Sequence, residues 1–441
     1  MDAIISDGRR AGAPTRLYSR ALTGPGESSK DASRAAWSLL AALSLLNALN
    51  FLDRQFLAAV APLVVAELGL SRTELGILLG FAFVLFFAFA TLALGFFADR
   101  VSRTRLVAAG VALWSLMTAA SGAARGFSDL AAARLFVGLG EAALVPSALS
   151  LLADRFPASR LGLASGLFWA GYPIGRALSY FVAGTVVPSL GWRSCFYALG
   201  ALGILGSGAM LLFHDPPRPR AEGAGESGLG AVFRTFGALP SLRWVVLGNT
   251  FAAFAASASQ LEVAWLVAER GFTPERAASV GGTIVAAASV VGNPTVGAVA
   301  DRLERGRPGG RLLCLAALTA VVMPLAVGFY LLPPGTVVFY ACWFAAQLAL
   351  AGWQGVSSAA IQELSPPRTR AFTLASAVVF VNLLGIGPGA AFAGAVGDAR
   401  SLTAGLLAAA VVGLAAVVPY LLAARGYARD RATVLSQTRP S

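Results

Sequence analysis

Polar residues in this 441-residue chain gather in short clusters, and long apolar stretches run between them. Twelve such stretches can be traced, at about 37–66, 75–97, 106–121, 130–152, 161–187, 194–213, 244–268, 278–300, 312–332, 336–361, 371–395 and 402–424. None alternates apolar and polar residues as a barrel strand does. Most reach the roughly 20 residues that a helix rising 1.5 Å per residue needs to cross about 30 Å of hydrocarbon. The pattern therefore predicts an all-α integral membrane protein with twelve transmembrane helices.

The polar clusters repeat. GFFADRVSRTR at 95–105 and GAVADRLERGR at 297–307 each follow one apolar run and precede another. Gly95, Ala98, Asp99, Arg100, Arg103 and Arg105 recur 202 positions later as Gly297, Ala300, Asp301, Arg302, Arg305 and Arg307. Pro157 and Arg160 recur as Pro367 and Arg370 at an offset of 210. Two copies at the same point of a hydrophobic series imply two bundles of like topology, as in parallel-repeat secondary carriers. The expected domains are an N-terminal tail (1–35), a six-helix bundle (36–213), a polar linker (214–243), a second six-helix bundle (244–424) and a C-terminal tail (425–441). The first tail is polar and carries arginine, without the short apolar core of a signal peptide, and reads as disordered and cytoplasmic.

Composition narrows the class. With 57% hydrophobic and 13% charged residues, and a mean hydropathy of +0.71, the chain has too much apolar surface for a soluble globule. Of its 34 Lys and Arg, 25 fall on the side of the tails and the repeated loops and 6 on the other. That bias puts both termini in the cytoplasm, and an Ala- and Arg-rich composition suggests a bacterial inner membrane. The net charge of +12 then belongs to a surface facing anionic lipid, and nucleic acid is not an expected partner. Three scattered cysteines and the single His214 leave no metal site or disulfide framework to expect. No metal or organic cofactor is predicted, only a proton as coupling ion, and the chain is taken as a monomer.

A charge at a helix centre costs about 2.5–3.5 kcal/mol on insertion scales, so the few intramembrane charges are the candidate site. In the first span Asn50 and Asp53 share a face and Arg54 lies one residue further around. Asp53 is the leading proton site, because desolvation and a nearby arginine act on a carboxylate in opposite directions. The structural alternative is a fixed Asp53–Arg54 ion pair. In the fourth span Arg134 and Glu141 are two turns apart on one face, about 10 Å in height. Asp53 and Glu141 come to similar depth and would compete for an arginine, which a proton on either acid would release. The alternative for Arg134 is snorkelling to the interface. Arg176, in a Gly- and Pro-rich fifth span, faces either the cavity or the rim between helices. Glu262 is either a second polar wall or a group near the outer helix end.

The repeated loops read as a cytoplasmic gate of Gly95, Asp99, Arg100, Asp301 and Arg302, with Asp154 and Arg155 as latch partners. Their glycines would let two helices approach; a solvated charged loop is the plainer alternative.

With these residues in view, the chain resembles the major facilitator superfamily throughout, in its twelve spans, its duplicated GxxADRxxRxR loop and RLFVGLGEA at 134–142. Within it, NFLDR at 50–54, ALWSLMTAASGAARGF at 112–127, ADRLERGRPGGR at 300–311 and IQELSPPRTRAFTLASAVVFVNLLGIGPG at 361–389 are similar to the spinster branch. That resemblance implies alternating access and proton-linked movement of an amphipathic lipid such as a lysophospholipid. It assigns Asp53 and Arg54 to the first-span motif, and Arg134 and Glu141 to protonation and gating. Arg176 stands where a small residue is expected, and Glu262 makes the seventh span more polar than a purely greasy pocket needs.

The competing reading is a proton symporter of hexuronate-type organic anions. NxxDRQ in the first span and RxxxGxGEA fit it, and Arg134 and Arg176 would clamp a carboxylate. Phe81, Phe83, Phe86, Phe87 and Phe89 would supply an apolar wall for a lipid, or simply pack. A membrane sensor on the carrier scaffold is a third reading. An enzyme is not expected, since no nucleophile and base pair stands out.

Overall fold

The computed structural model describes residues 29–97, 101–215, 235–366 and 370–436. Asp99, Arg100, Pro367, most of the expected linker and most of the expected N-terminal tail lie outside the described residues. All regular structure among the described residues is helical.

Span 1 is Ser29–Ala59, followed by a short helix Ala61–Leu68. Span 2 is Arg72–Leu79 and Phe81–Phe97, span 3 Arg103–Gly122, and span 4 Phe127–Glu141 and Leu144–Arg155. Span 5 is Ala158–Trp169 and Gly171–Thr185, and span 6 Val187–Met210. The second half continues with span 7 (Pro240–Ala258 and Glu262–Arg270), span 8 (Pro274–Gly306), span 9 (Gly310–Leu331) and span 10 (Val337–Glu363). Span 11 is Arg370–Val381 and Gly387–Ala399, and span 12 Leu402–Leu414 and Val417–Ser436. Ten of these are long and apolar enough to cross a membrane on length and composition. Spans 5 and 6 complete the twelve; glycines, tyrosines and the arginines Arg176 and Arg193 thin their apolar content.

Several spans break near mid-length. Span 4 interrupts its helix at Ala142 and Ala143, directly after Glu141. A 3-10 turn, Ser259–Leu261, precedes Glu262 in span 7, and a π turn, Asn382–Ile386, divides span 11. Non-α turns in membrane helices are tolerated where protein or a polar cavity covers the freed backbone groups, and the breaks in spans 4 and 7 lie directly beside Glu141 and Glu262.

The two bundles meet mainly through the half of span 5 after Ala170 against span 8, and the first helix of span 2 against the last of span 11. The second contact is backbone on backbone. A Cβ on Gly76 would stand 2.3 Å from the Ala390 carbonyl oxygen, and one on Gly394 would stand 2.2 Å from that of Arg72. At the tip, Asp398 of span 11 accepts from the Arg72 and Thr73 amides at 2.9 and 2.8 Å and from the Thr73 hydroxyl at 2.5 Å. It caps a helix of the other bundle. Arg72 also donates to the Gly397 carbonyl at 2.7 Å and pairs with Glu269 at 3.4 Å. This end of the molecule is closed.

Domain edges differ from the expectation. Helix begins at Ser29, inside the expected tail, and at Pro240, inside the expected linker, and runs on to Ser436, past the expected end at 424. Hydropathy marks the hydrocarbon-facing part of a helix, whereas helical bonding continues into its polar ends. The last turns also pack: Tyr427, Asp430 and Val434 are buried, and Asp430 accepts from the Ser241 amide at 2.7 Å.

Candidate functional site

Asn50, Asp53, Arg134 and Glu141 are all buried, each about 2% exposed. Close helix contacts put them together: a Cβ on Gly138 would lie 2.3 Å from the Phe83 carbonyl oxygen, so span 4 lies against span 2 directly above Glu141. The alternative of a fixed Asp53–Arg54 ion pair is not what forms. Arg54 reaches across to span 4 instead, donating to Glu141 Oε2 from Nε at 3.0 Å and from Nη2 at 2.5 Å. Adjacent residues on a helix diverge by about 100°, so the Arg54 side chain is carried away from Asp53 toward span 4. Asp53 Oδ2 accepts from the Thr118 hydroxyl of span 3. Arg134 does not snorkel: its Nη2 donates to the Arg54 carbonyl oxygen at 3.2 Å, and it lies within electrostatic reach of both Asp53 and Glu141.

One oxygen of each acid, Asp53 Oδ1 and Glu141 Oε1, has no hydrogen-bond donor, and neither has Arg134 Nε an acceptor. Two acids and two arginines thus cluster with bonding capacity to spare. The aromatic floor is Phe83, whose ring centre is 4.4 Å from the Arg54 guanidinium and 5.4 Å from that of Arg134, with Phe87 at 5.3 Å from Arg54. Both cations gain from facing the ring. The second-span phenylalanines therefore divide: Phe83 and Phe87 floor the site, while Phe89 is exposed at the outer surface.

A second cluster lies at the interface of the bundles. Arg176 takes the cavity side of its two alternatives, buried and donating from Nη2 to Gln347 Oε1 at 3.1 Å. Its helix sits tight on span 1, where a Cβ on Gly175 would stand 2.2 Å from the Ala48 carbonyl oxygen. Glu262 is a second polar wall at the break within span 7, away from the span's outer end: it accepts from Tyr330 at 2.9 Å and from Gln347 Nε2 at 3.2 Å. Gln55, two residues after Asp53, donates to the Tyr180 hydroxyl at 3.3 Å, and Tyr180 lies one turn from Arg176.

At the end bearing the repeated loops, latches form within each half. Arg103 donates to Asp154 at 2.5 Å and to Asp215 at 2.6 Å, and Arg155 reaches the His214 carbonyl at 2.8 Å. In the second half Arg311 pairs with Asp301 at 2.7 Å and with Glu363. Arg311, not Arg305, thus holds the position of Arg103, because span 8 stays helical to Gly306 and pushes its loop further along the chain. Arg302 is exposed. Gly297 does not bring helices together, for a Cβ there would meet nothing within 4 Å. Close contact between bundles lies at the opposite end, so this glycine faces open space. Gly95 lies within span 2.

Thr118, Gln347, Tyr330, Tyr180 and Gln55 escaped sequence reasoning. Threonine and tyrosine cross membranes cheaply and carry no signal. Gln347 did carry one, an amide in the middle of an apolar span.

The model for the Major Facilitator Superfamily matches residues 43–332. The chain belongs to this superfamily of membrane transporters. An MFS-type efflux pump of Mycolicibacterium smegmatis is 29% identical over 413 residues, 90% of this chain and 94% of that one. Protein spinster homolog 3 of Danio rerio is 30% identical over 224 residues, 49% of this chain and 43% of that protein's length. In structure, a bacterial homolog to the human lysosomal transporter spinster, in an inward-facing and unoccupied conformation, aligns with a TM-score of 0.79 at 24% identity. The match covers 90% of this chain and 98% of that one. The fold is the major facilitator fold, and the sequence similarity to spinster proteins agrees with the resemblance drawn from the motifs.

Proposed function

We propose that this protein is a proton-coupled, spinster-like carrier of an amphipathic lipid such as a lysophospholipid, working by alternating access in a bacterial inner membrane with both termini cytoplasmic. The observation that carries the reading is a cluster of two buried acids and two arginines, in which Arg54 pairs with Glu141 and one oxygen of each acid is free of donors. A proton on the free oxygen of Asp53 or Glu141 removes a charge without breaking an existing bond, and leaves one guanidinium in excess. That guanidinium then has reason to seek another partner, a substrate anion or the opposite bundle, which is how protonation would bias one conformation over the other. The closed seam at Gly76 and Gly394, with open space at Gly297, supports a state facing the repeated-loop side. The aromatic floor of Phe83 and Phe87 supports a ligand with an apolar part.

The test is uptake into proteoliposomes under an imposed pH gradient, offering a labelled lysophospholipid and a labelled hexuronate. Lysophospholipid movement that needs the gradient, and that Asp53→Asn abolishes while binding persists, is expected. Gradient-driven hexuronate uptake alone would move the substrate to organic anions. Transport by Asp53→Asn equal to wild type at several pH values would sink the coupling scheme.

A further inference from the structure

Arg176 and Glu262 are a buried cation and a buried anion on opposite bundles, and among the described residues neither makes an ion pair. The neutral amide of Gln347 bridges them, its oxygen on Arg176 and its nitrogen on Glu262. Arg176 Nε, fully buried, has no acceptor at all. Taking two charges from water and then denying them contact is costly unless something else answers them. Glu262, Gln347 and Tyr330 also form the polar corner of a cavity whose remaining wall includes Leu318, Val322, Leu350, Trp353 and Leu406. Glu262 and Gln347 thus open onto an apolar chamber, with Arg176 bound to the far side of the Gln347 amide.

We infer that Arg176, Gln347 and Glu262 form the headgroup site for a zwitterionic amphiphile, with its phosphate at Arg176, its ammonium at Glu262 and its acyl chain in the chamber. The inference rests on the amphipathic-lipid reading above and names the headgroup. A purely anionic ligand would leave Glu262 uncompensated, and a purely cationic one would leave Arg176 so. A ligand carrying both charges answers both, and Gln347 is the group it displaces. Because Arg176 belongs to the first bundle and Glu262 to the second, such a headgroup would also tie the bundles together.

Equilibrium binding to the full chain in nanodiscs decides the matter, using radiolabelled lysophosphatidylethanolamine and lysophosphatidylglycerol with the same acyl chain. Wild type is expected to prefer the zwitterionic lipid by about tenfold. Glu262→Gln should weaken the ethanolamine lipid while sparing the glycerol lipid, so that the preference falls to about one, and Arg176→Gln should weaken both. Equal binding of the two lipids by wild type, which needs no variant to fold, overturns the inference and leaves the lipid reading standing. So does a preference that survives in Glu262→Gln. Absence of binding to either lipid by wild type overturns the lipid reading itself.

Discussion

At the scale of single residues, the first acid cluster is held by charge more than by packing. Glu141 is fully buried and depends on Arg54, whose own side chain is 29% exposed. Arg54→Ala strands the carboxylate and is expected to cost about 2 kcal/mol, less than a fully buried pair because solvent screens the arginine. Thermal unfolding in detergent should show a lowered midpoint, and adding Glu141→Gln should restore most of it; a double variant no better than Arg54→Ala would contradict the account. Asp53, Arg54, Arg134 and Glu141 were legible in the sequence because ionised groups are rare and costly in apolar spans. Their pairing was not. Which arginine meets which acid depends on helix rotation, and Arg54 turned toward span 4 instead of Asp53.

At the scale of elements, the short helix after span 1 is fastened to span 6. Glu67 accepts from Trp192 at 2.6 Å and from Arg193 at 2.8 Å, and Arg193 also holds the Gly122 and Ala124 carbonyls at 2.7 Å. The Arg193 bond, and after it that of Trp192, holds the Glu67 carboxyl below its ordinary value of 4.5. A carboxyl lowered by folding adds stability that is present above 4.5 and fades as pH falls through its folded value. The difference in thermal midpoint between wild type and Glu67→Gln should therefore hold from pH 7 to about 5 and shrink in more acid solution. A difference independent of pH would count against the carboxylate as its source. The twelve spans were readable from hydropathy, and Gly80 in span 2 and Gly171 and Pro173 in span 5 signal the breaks there, whereas Ala142, Ala143 and Ser259 carry no helix-breaking signal.

At the scale of the molecule, duplication was the clearest message of the sequence, and the arrangement of the two copies the least. The repeated loops announce latches, with Asp154 as a partner in the first half, but not that Arg103 would be the residue holding it or that Arg311 would take that part in the second, on Glu363. Nor do they reveal that the bundles touch at the far end, where Gly76 and Gly394 lie among many similar glycines. Gly76→Val places carbon inside the Ala390 backbone and should force that end open. With Cys195, Cys314 and Cys342 replaced by alanine, a cysteine in place of the buried Leu79 is expected to react several-fold faster with a membrane-impermeant maleimide when Gly76→Val is present. An unchanged rate would mean that the glycine contact is not what shuts this end.

The Asp398 cap across that closure has a further meaning. The amides of Arg72 and Thr73 find their acceptors in a carboxylate that belongs to the other bundle. Whenever the bundles part, those two hydrogens lose their shelter and pass to water. Their deuterium uptake is therefore a native gauge of which way the carrier faces, readable in the unmodified chain without label, ligand or gradient.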